Sequence, residues 1–147
     1  MDWLDRTLIS CDCFYLLCLS EKDFRKALKH LELPKREWPR YLANDRAGAT
    51  THFFDTRWGD VAIVTFGDRY GYGIHQIHAL LVHEAVHIWQ AQRDAMSEDS
   101  PSSEFEAYAI QTISQNLIES YQKQNKKKSG GRRERHSGKT KRIAAQH

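Results

Sequence analysis

Two histidines four residues apart, His83 and His87, enclose Glu84 in the segment His83-Glu84-Ala85-Val86-His87. On a helix, residues four apart share a face, with roughly 5–6 Å between their Cβ atoms. Two imidazoles so placed can chelate one tetrahedral zinc ion, whose Zn–N bonds are about 2.0–2.1 Å. Glu84 is turned by about 100° from His83 around the helix axis. Its carboxylate can therefore stand beside such an ion without ligating it, next to a bound water. The pattern fixes only three positions in a chain with eight histidines. The plain alternative is a pair of core histidines satisfied by hydrogen bonds, with Glu84 at the surface. The surroundings favour the metal. Ile77, Leu80, Leu81, Val82, Val86, Ile88 and Trp89 make the segment apolar nearly all round. Two histidines and a glutamate in a buried helix are costly unless paired or metal-bound.

A hydrolytic site of this kind needs a third protein ligand and an open fourth position. The segment from Ser103 to Tyr108 offers two carboxylates, Glu104 and Glu106. Two apart on a helix, they point to nearly opposite sides. Ser103-x-x-Glu106 also reads as a capping box, yet Glu106 falls in line with Ile110, Ile113 and Leu117. Spacing alone leaves both carboxylates open as ligands. His75 and His78 precede the motif and read as helix-start or surface histidines. Cys11, Cys13 and Cys18 are too few and too tightly spaced for a disulfide framework and lack a second metal-binding pair. They read as reduced thiols in or beside a strand.

The elements that must position these groups follow from periodicity and punctuation. Residues 1–13 are open between a short helix and an irregular arm. Phe14 to Leu19 (FYLLCL) has the length of a strand. Ser20-x-x-Asp23 is a capping pattern leading into a helix to about Leu31, with Phe24, Leu28 and Leu31 at helical spacing. Pro34 and Pro39 bracket a loop that runs to Gly48. Thr50–Asp55 and Val61–Phe66 are rich in β-branched and aromatic residues, and Arg57-Trp58-Gly59-Asp60 between them predicts a hairpin. A long helix is expected from Ile74 to Asp94. A last one should run from Ser102, after Pro101, to Gln122, with Ile110, Ile113, Leu117 and Tyr121 on one stripe.

TTHFF, VAIVTF, HEAVHIWQ and PSSEFEAYAIQ together resemble the glutamate-type zincins, or gluzincins, and within them small minimal forms from phages and prophages. The likeness spans roughly residues 49–121. It rests on the first motif, HExxH, and on Glu104-Phe105-Glu106-Ala107-Tyr108, which is similar to the family's second motif with Glu104 in the ligand position. Tyr108 stands where the family usually has Asp or Asn to orient a ligand histidine. The resemblance implies a zinc site made by His83, His87 and Glu104. It also implies a strand, VAIVTF, running beside the substrate. The implied reaction is metal-assisted hydrolysis of a protein or peptide substrate, with Glu84 as general base. The developing oxyanion needs a further donor, for which Tyr70, Tyr72, His75 and Tyr108 are candidates. The implied fold is α+β and zincin-like: a small antiparallel sheet packed on a buried HExxH helix, with the C-terminal helix delivering Glu104.

Charge divides the chain. Residues 123–147 hold ten Lys/Arg and one Glu, whereas residues 1–122 hold twelve Lys/Arg and eighteen Asp/Glu. Apolar residues nearly vanish from Lys123 onward, which predicts a folded domain over 1–122 and a disordered basic tail over 123–147. That tail is suited to phosphate contacts with nucleic acid but lacks aromatic residues for base stacking. A solvated, solubilising tail is the equal alternative. With no apolar run of membrane-spanning length and no basic-then-apolar leader, the chain reads as cytoplasmic, in the host cell if phage-encoded. Two other functions compete with the enzyme: a metal-stabilised phage structural or assembly protein, and a basic-tailed nucleic-acid-associated protein in which HExxH is incidental.

Overall fold

The structure is a computed structural model that describes residues 13–137, with side chains placed for residues 13–127. The chain before Cys13, including Cys11, and residues 138–147 of the basic stretch lie outside the described residues. The elements run β1 (Phe14–Cys18), α1 (Glu21–His30), a single 3₁₀ turn (Lys35–Glu37), β2 (Ala49–Thr56), β3 (Gly59–Phe66), α2 (Ile74–Ala95) and α3 (Ser103–Ser137). Among these residues no helix is long and apolar enough to cross a membrane.

The fold is α+β, as expected, but its sheet is mixed rather than antiparallel. The strand order is β1-β3-β2. β2 and β3 form the expected antiparallel hairpin, whereas β1 lies parallel to β3. The reason is connectivity. Parallel neighbours need a crossover of a dozen or more residues, and α1 with its following loop supplies one between β1 and the hairpin. β3 is therefore central and is buried on both faces from Val61 to Phe66. This accounts for its unbroken apolar run. Gly59, at φ 107°, opens β3 in a conformation that a side chain would strain.

The helices cover both faces. α1, capped by Ser20, whose Oγ accepts from Asp23 N–H (3.2 Å), closes one core with Leu16, Cys18, Phe24, Leu28 and Ile63. α2 and α3 close the other with Leu17, Val64, Phe66, Leu81, Trp89, Ile113 and Leu117. The Tyr41 hydroxyl ties the ends of the two parallel strands, lying 3.1 Å from Cys18 O and 2.7 Å from Phe66 O. Gly67, where an added Cβ would stand 2.9 Å from Ala47 O, lets the loop before β2 close on the end of β3.

Two expectations about the long helices change. α2 is not buried all round: it buries Ile77, Leu81, Glu84, Ala85, Ile88, Trp89 and Gln92, while Ala79, Val82, His83, His87 and Gln90 are exposed. β2 packs along one flank and α3 along the other, which leaves the outer face to solvent. α3 does not stop at Gln122 but continues to Ser137. Gln124 explains the first added turn, since its Nε2 donates to Leu17 O (3.0 Å) and so fastens α3 to β1.

Candidate metal centre

α2 delivers the two histidines together. Their Nε2 atoms are 3.1 Å apart, and the rings meet nearly edge to face at 81°. Two nitrogens at zinc-bond length from one tetrahedral centre stand about 3.3 Å apart, so this pair already has nearly the spacing of two ligands of one ion. Without an ion, the same approach is met by one Nε2–H donating to the other nitrogen. The donor set therefore fits a two-histidine zinc site open to solvent.

Glu84 lies on the side of α2 that faces β2. It is only 4% exposed, and its Oε2 accepts from Thr51 Oγ1 at 2.5 Å. Thr51 can do this because Ala49, Thr51 and Phe53 alternate onto the α2 side of β2. The sequence singled out the hairpin but not Thr51, and a hydroxyl in a β-branched strand carries no signal of such a bond. The strand beside Glu84 is thus β2, whose outer edge pairs with no described strand. VAIVTF, expected at the substrate's side, is β3 and has both edges occupied by β1 and β2.

The second motif is placed differently from the expectation. α3 begins under a cap from Ser102, whose Oγ accepts from Phe105 N–H (3.3 Å), so Ser103 is not the cap. Glu106 accepts from Trp89 Nε1 (2.8 Å), and Phe105 packs edge-on against the Trp89 ring (5.5 Å). Trp89 points about 120° from His83 and 160° from His87 around α2. The first turn of α3 therefore meets the flank of α2 away from the histidines. Glu104 is exposed, and Tyr108 is 60% exposed. Among the described residues, no group of three or more His, Cys, Asp or Glu comes together in a way that could hold a metal ion. The two histidines are thus assembled by the fold, and Glu104 is not brought to them.

The candidate oxyanion donors separate by position. Tyr70 is 93% exposed, and His75 is exposed on the first turn of α2. A Cβ built on Gly48 would lie 3.3 Å from Leu80 Cδ1 and 3.7 Å from the Tyr72 hydroxyl. Tyr72 therefore stands at the start of β2 beside Leu80, one helical turn before Glu84 and on the same flank. His78, half-buried, has a buried Nε2 with no hydrogen-bond partner. Across the sheet, His52 lies against Phe24 (4.9 Å) with Nε2 3.1 Å from Tyr41 O. Burial pulls its pKa below 6.5, opposed by the Tyr41 carbonyl and by the Glu84 charge. A wide groove of about 1450 Å³ lies between α1 and the 34–45 loop, on the sheet face opposite Glu84. No family model, curated protein or solved structure matches the chain.

Proposed function

We propose that the protein is a zinc-dependent peptidase in which His83 and His87 hold the metal and Glu84 is the general base. The observation that carries this reading is the pair of solvent-facing Nε2 atoms 3.1 Å apart, beside a carboxylate held by a neighbouring strand. The reading assigns the fold as zincin-like and Glu104 as third ligand, which requires the first turn of α3 to swing from its place against Trp89. Zinc bound there would polarise a carbonyl and bring the pKa of a coordinated water toward neutrality. Thr51 holds Glu84 Oε2, which leaves Oε1 to take a proton from the attacking water and return it to the leaving amine. The hydroxyl of Tyr72, on the Glu84 flank, is better placed than that of Tyr108 to donate to the oxyanion. The peptide lies along the open edge of β2.

A second reading has an observation of its own. The Trp89–Glu106 bond uses the second motif to join α2 to α3, which suits a metal-stabilised, non-catalytic role such as a phage structural or assembly protein. Metal content and hydrolysis of a casein substrate, measured on the full chain, separate the two. The enzyme reading expects about one zinc per chain, lost in His83→Ala, and cleavage lost in Glu84→Gln with zinc retained. Zinc without cleavage in either form supports the structural role. Wild-type protein that binds no zinc overturns both.

A further inference from the structure

We propose that the cavity between the C-terminal half of α2 and the β2–β3 hairpin is a subsite for one large apolar side chain of a peptide, with a basic residue next to it. Its place in catalysis rests on the peptidase reading, whereas the binding itself does not. The cavity is about 480 Å³, and its walls include Phe53, Val61, Ala91, Ala95 and Met96. That is within the range of small-ligand pockets and ample for one aromatic or long aliphatic side chain.

Two features point to a ligand rather than to a packing gap. Gln92 lines the cavity and is only 7% exposed, yet its side-chain amide bonds no described residue. The amide opens into the cavity, where its two donors and one acceptor are available to the backbone of an entering peptide. At the rim, Asp55 and Asp60 face each other directly across the hairpin. Like charges so placed weaken a strand pair, and no described Lys or Arg pairs with either. Arg57, in the adjoining turn, bonds Glu32 instead (2.9 Å). The rim is therefore complementary to a cationic side chain.

The cavity adjoins the metal centre. Ala91 is one helical turn, about 6 Å, beyond His87 on the same face. Phe53, 49% exposed, follows Thr51 on the same side of β2. An extended peptide advances about 3.3 Å per residue. The side chain in the cavity thus belongs to a residue about two or three positions from the bond held at His83 and His87.

The probe is a fluorescein-labelled hexapeptide, Ala-Ala-Phe-Lys-Ala-Ala, with analogues in which Phe becomes Ala or Lys becomes Gln. Binding is followed by anisotropy on the full chain and on Glu84→Gln. Loss of the Phe ring should raise Kd about tenfold or more. Loss of the Lys should raise it about threefold at low ionic strength, an effect that salt removes. Ala91→Trp, which fills the cavity, should abolish binding. Asp55→Asn with Asp60→Asn should erase the preference for Lys over Gln. If Ala91→Trp fails to fold by circular dichroism, Phe53→Ala, which removes one wall, should still weaken the Phe peptide and leave the Ala analogue unchanged. Equal affinity for all three peptides overturns the subsite. So does a concentration-dependent dimer that folded Ala91→Trp abolishes while no peptide binds, because the occupant is then a second copy. The expected binding pattern without cleavage by any form leaves the subsite standing and removes the peptidase reading.

Discussion

Thr51→Val removes the hydroxyl that holds Glu84 and keeps the branched shape that suits a strand. Glu84 is 4% exposed and Thr51 bonds it at 2.5 Å, so the change strands a buried carboxylate. A hydrogen bond to a charged group is worth about 1.5–3 kcal/mol net, and an unsatisfied buried charge stands at the upper end. We expect a loss of about 2–3 kcal/mol, which for a domain of this size lowers Tm by about 6–12 °C. Urea unfolding at neutral pH gives the free energy directly. Thr51→Ser keeps the hydroxyl and loses a methyl, so it should cost clearly less. In a cycle with Glu84→Gln, the coupling between the two sites should exceed about 1 kcal/mol. On the peptidase reading, zinc content should not change, since Thr51 is not a ligand, whereas cleavage should fall because Glu84 loses its orientation. If Thr51→Val and Thr51→Ser agree within about 0.5 kcal/mol, or the coupling is nil, the claim that β2 positions Glu84 is wrong.

His52 gives an acid limb. Burial holds its folded pKa below 6.5, so the folded chain binds fewer protons there than the unfolded chain, and the stability present above pH 6.5 is lost as pH falls through the folded value. His52→Gln should flatten that limb in urea midpoints measured across the range. Cys18 gives an alkaline one: burial first, then the charge of Asp23, pushes its thiol from 9.0 up to about 12. Stability should fall as pH rises from 9 toward 12, and native Cys18 should react with a thiol reagent at pH 8 only as fast as the chain opens. Trp89→Phe removes the donor to Glu106 at a fully buried ring and should cost about 2 kcal/mol in urea unfolding. The same variant should bind zinc more tightly by calorimetry if Glu104 is the third ligand, and no differently if it is not.

Most of the element map was legible before the fold. The Ser20–Asp23 cap, the hairpin and the start of α2 at Ile74 depend on local chemistry, which sequence displays. What depends on partners was hidden. FYLLC reads as a strand, but nothing in it says that it pairs parallel to β3. That follows from α1 turning the chain back across the sheet. Likewise the apolar residues around α2 do not reveal which of them meet a neighbour. Val82 is as apolar as Leu81, yet it is 40% exposed where Leu81 is fully buried, because it stands at the open groove where α3 meets α2 rather than under the sheet.

The site divides along the same line. The spacing of His83 and His87 is a property of one helix, and the fold keeps it. Joining Glu104 to them is a property of two helices, and it turns on the direction in which α3 presents its first turn. Glu104 and Glu106 stand about 160° apart around α3. With Glu106 fixed to Trp89, Glu104 faces away from α2. Binding of a third ligand from Glu104 and retention of the Trp89–Glu106 bond are therefore competing states of one short segment. Only Ala107 and Tyr108 separate that segment from Ala109, the first buried residue of α3's stripe. Opening the turn breaks the Trp89–Glu106 bond and the Phe105 contact with the buried Trp89 ring. On the zinc reading proposed above, a three-ligand set would form at the expense of that interhelical contact, and the balance between the two would decide whether a bound zinc is held by two side chains or by three.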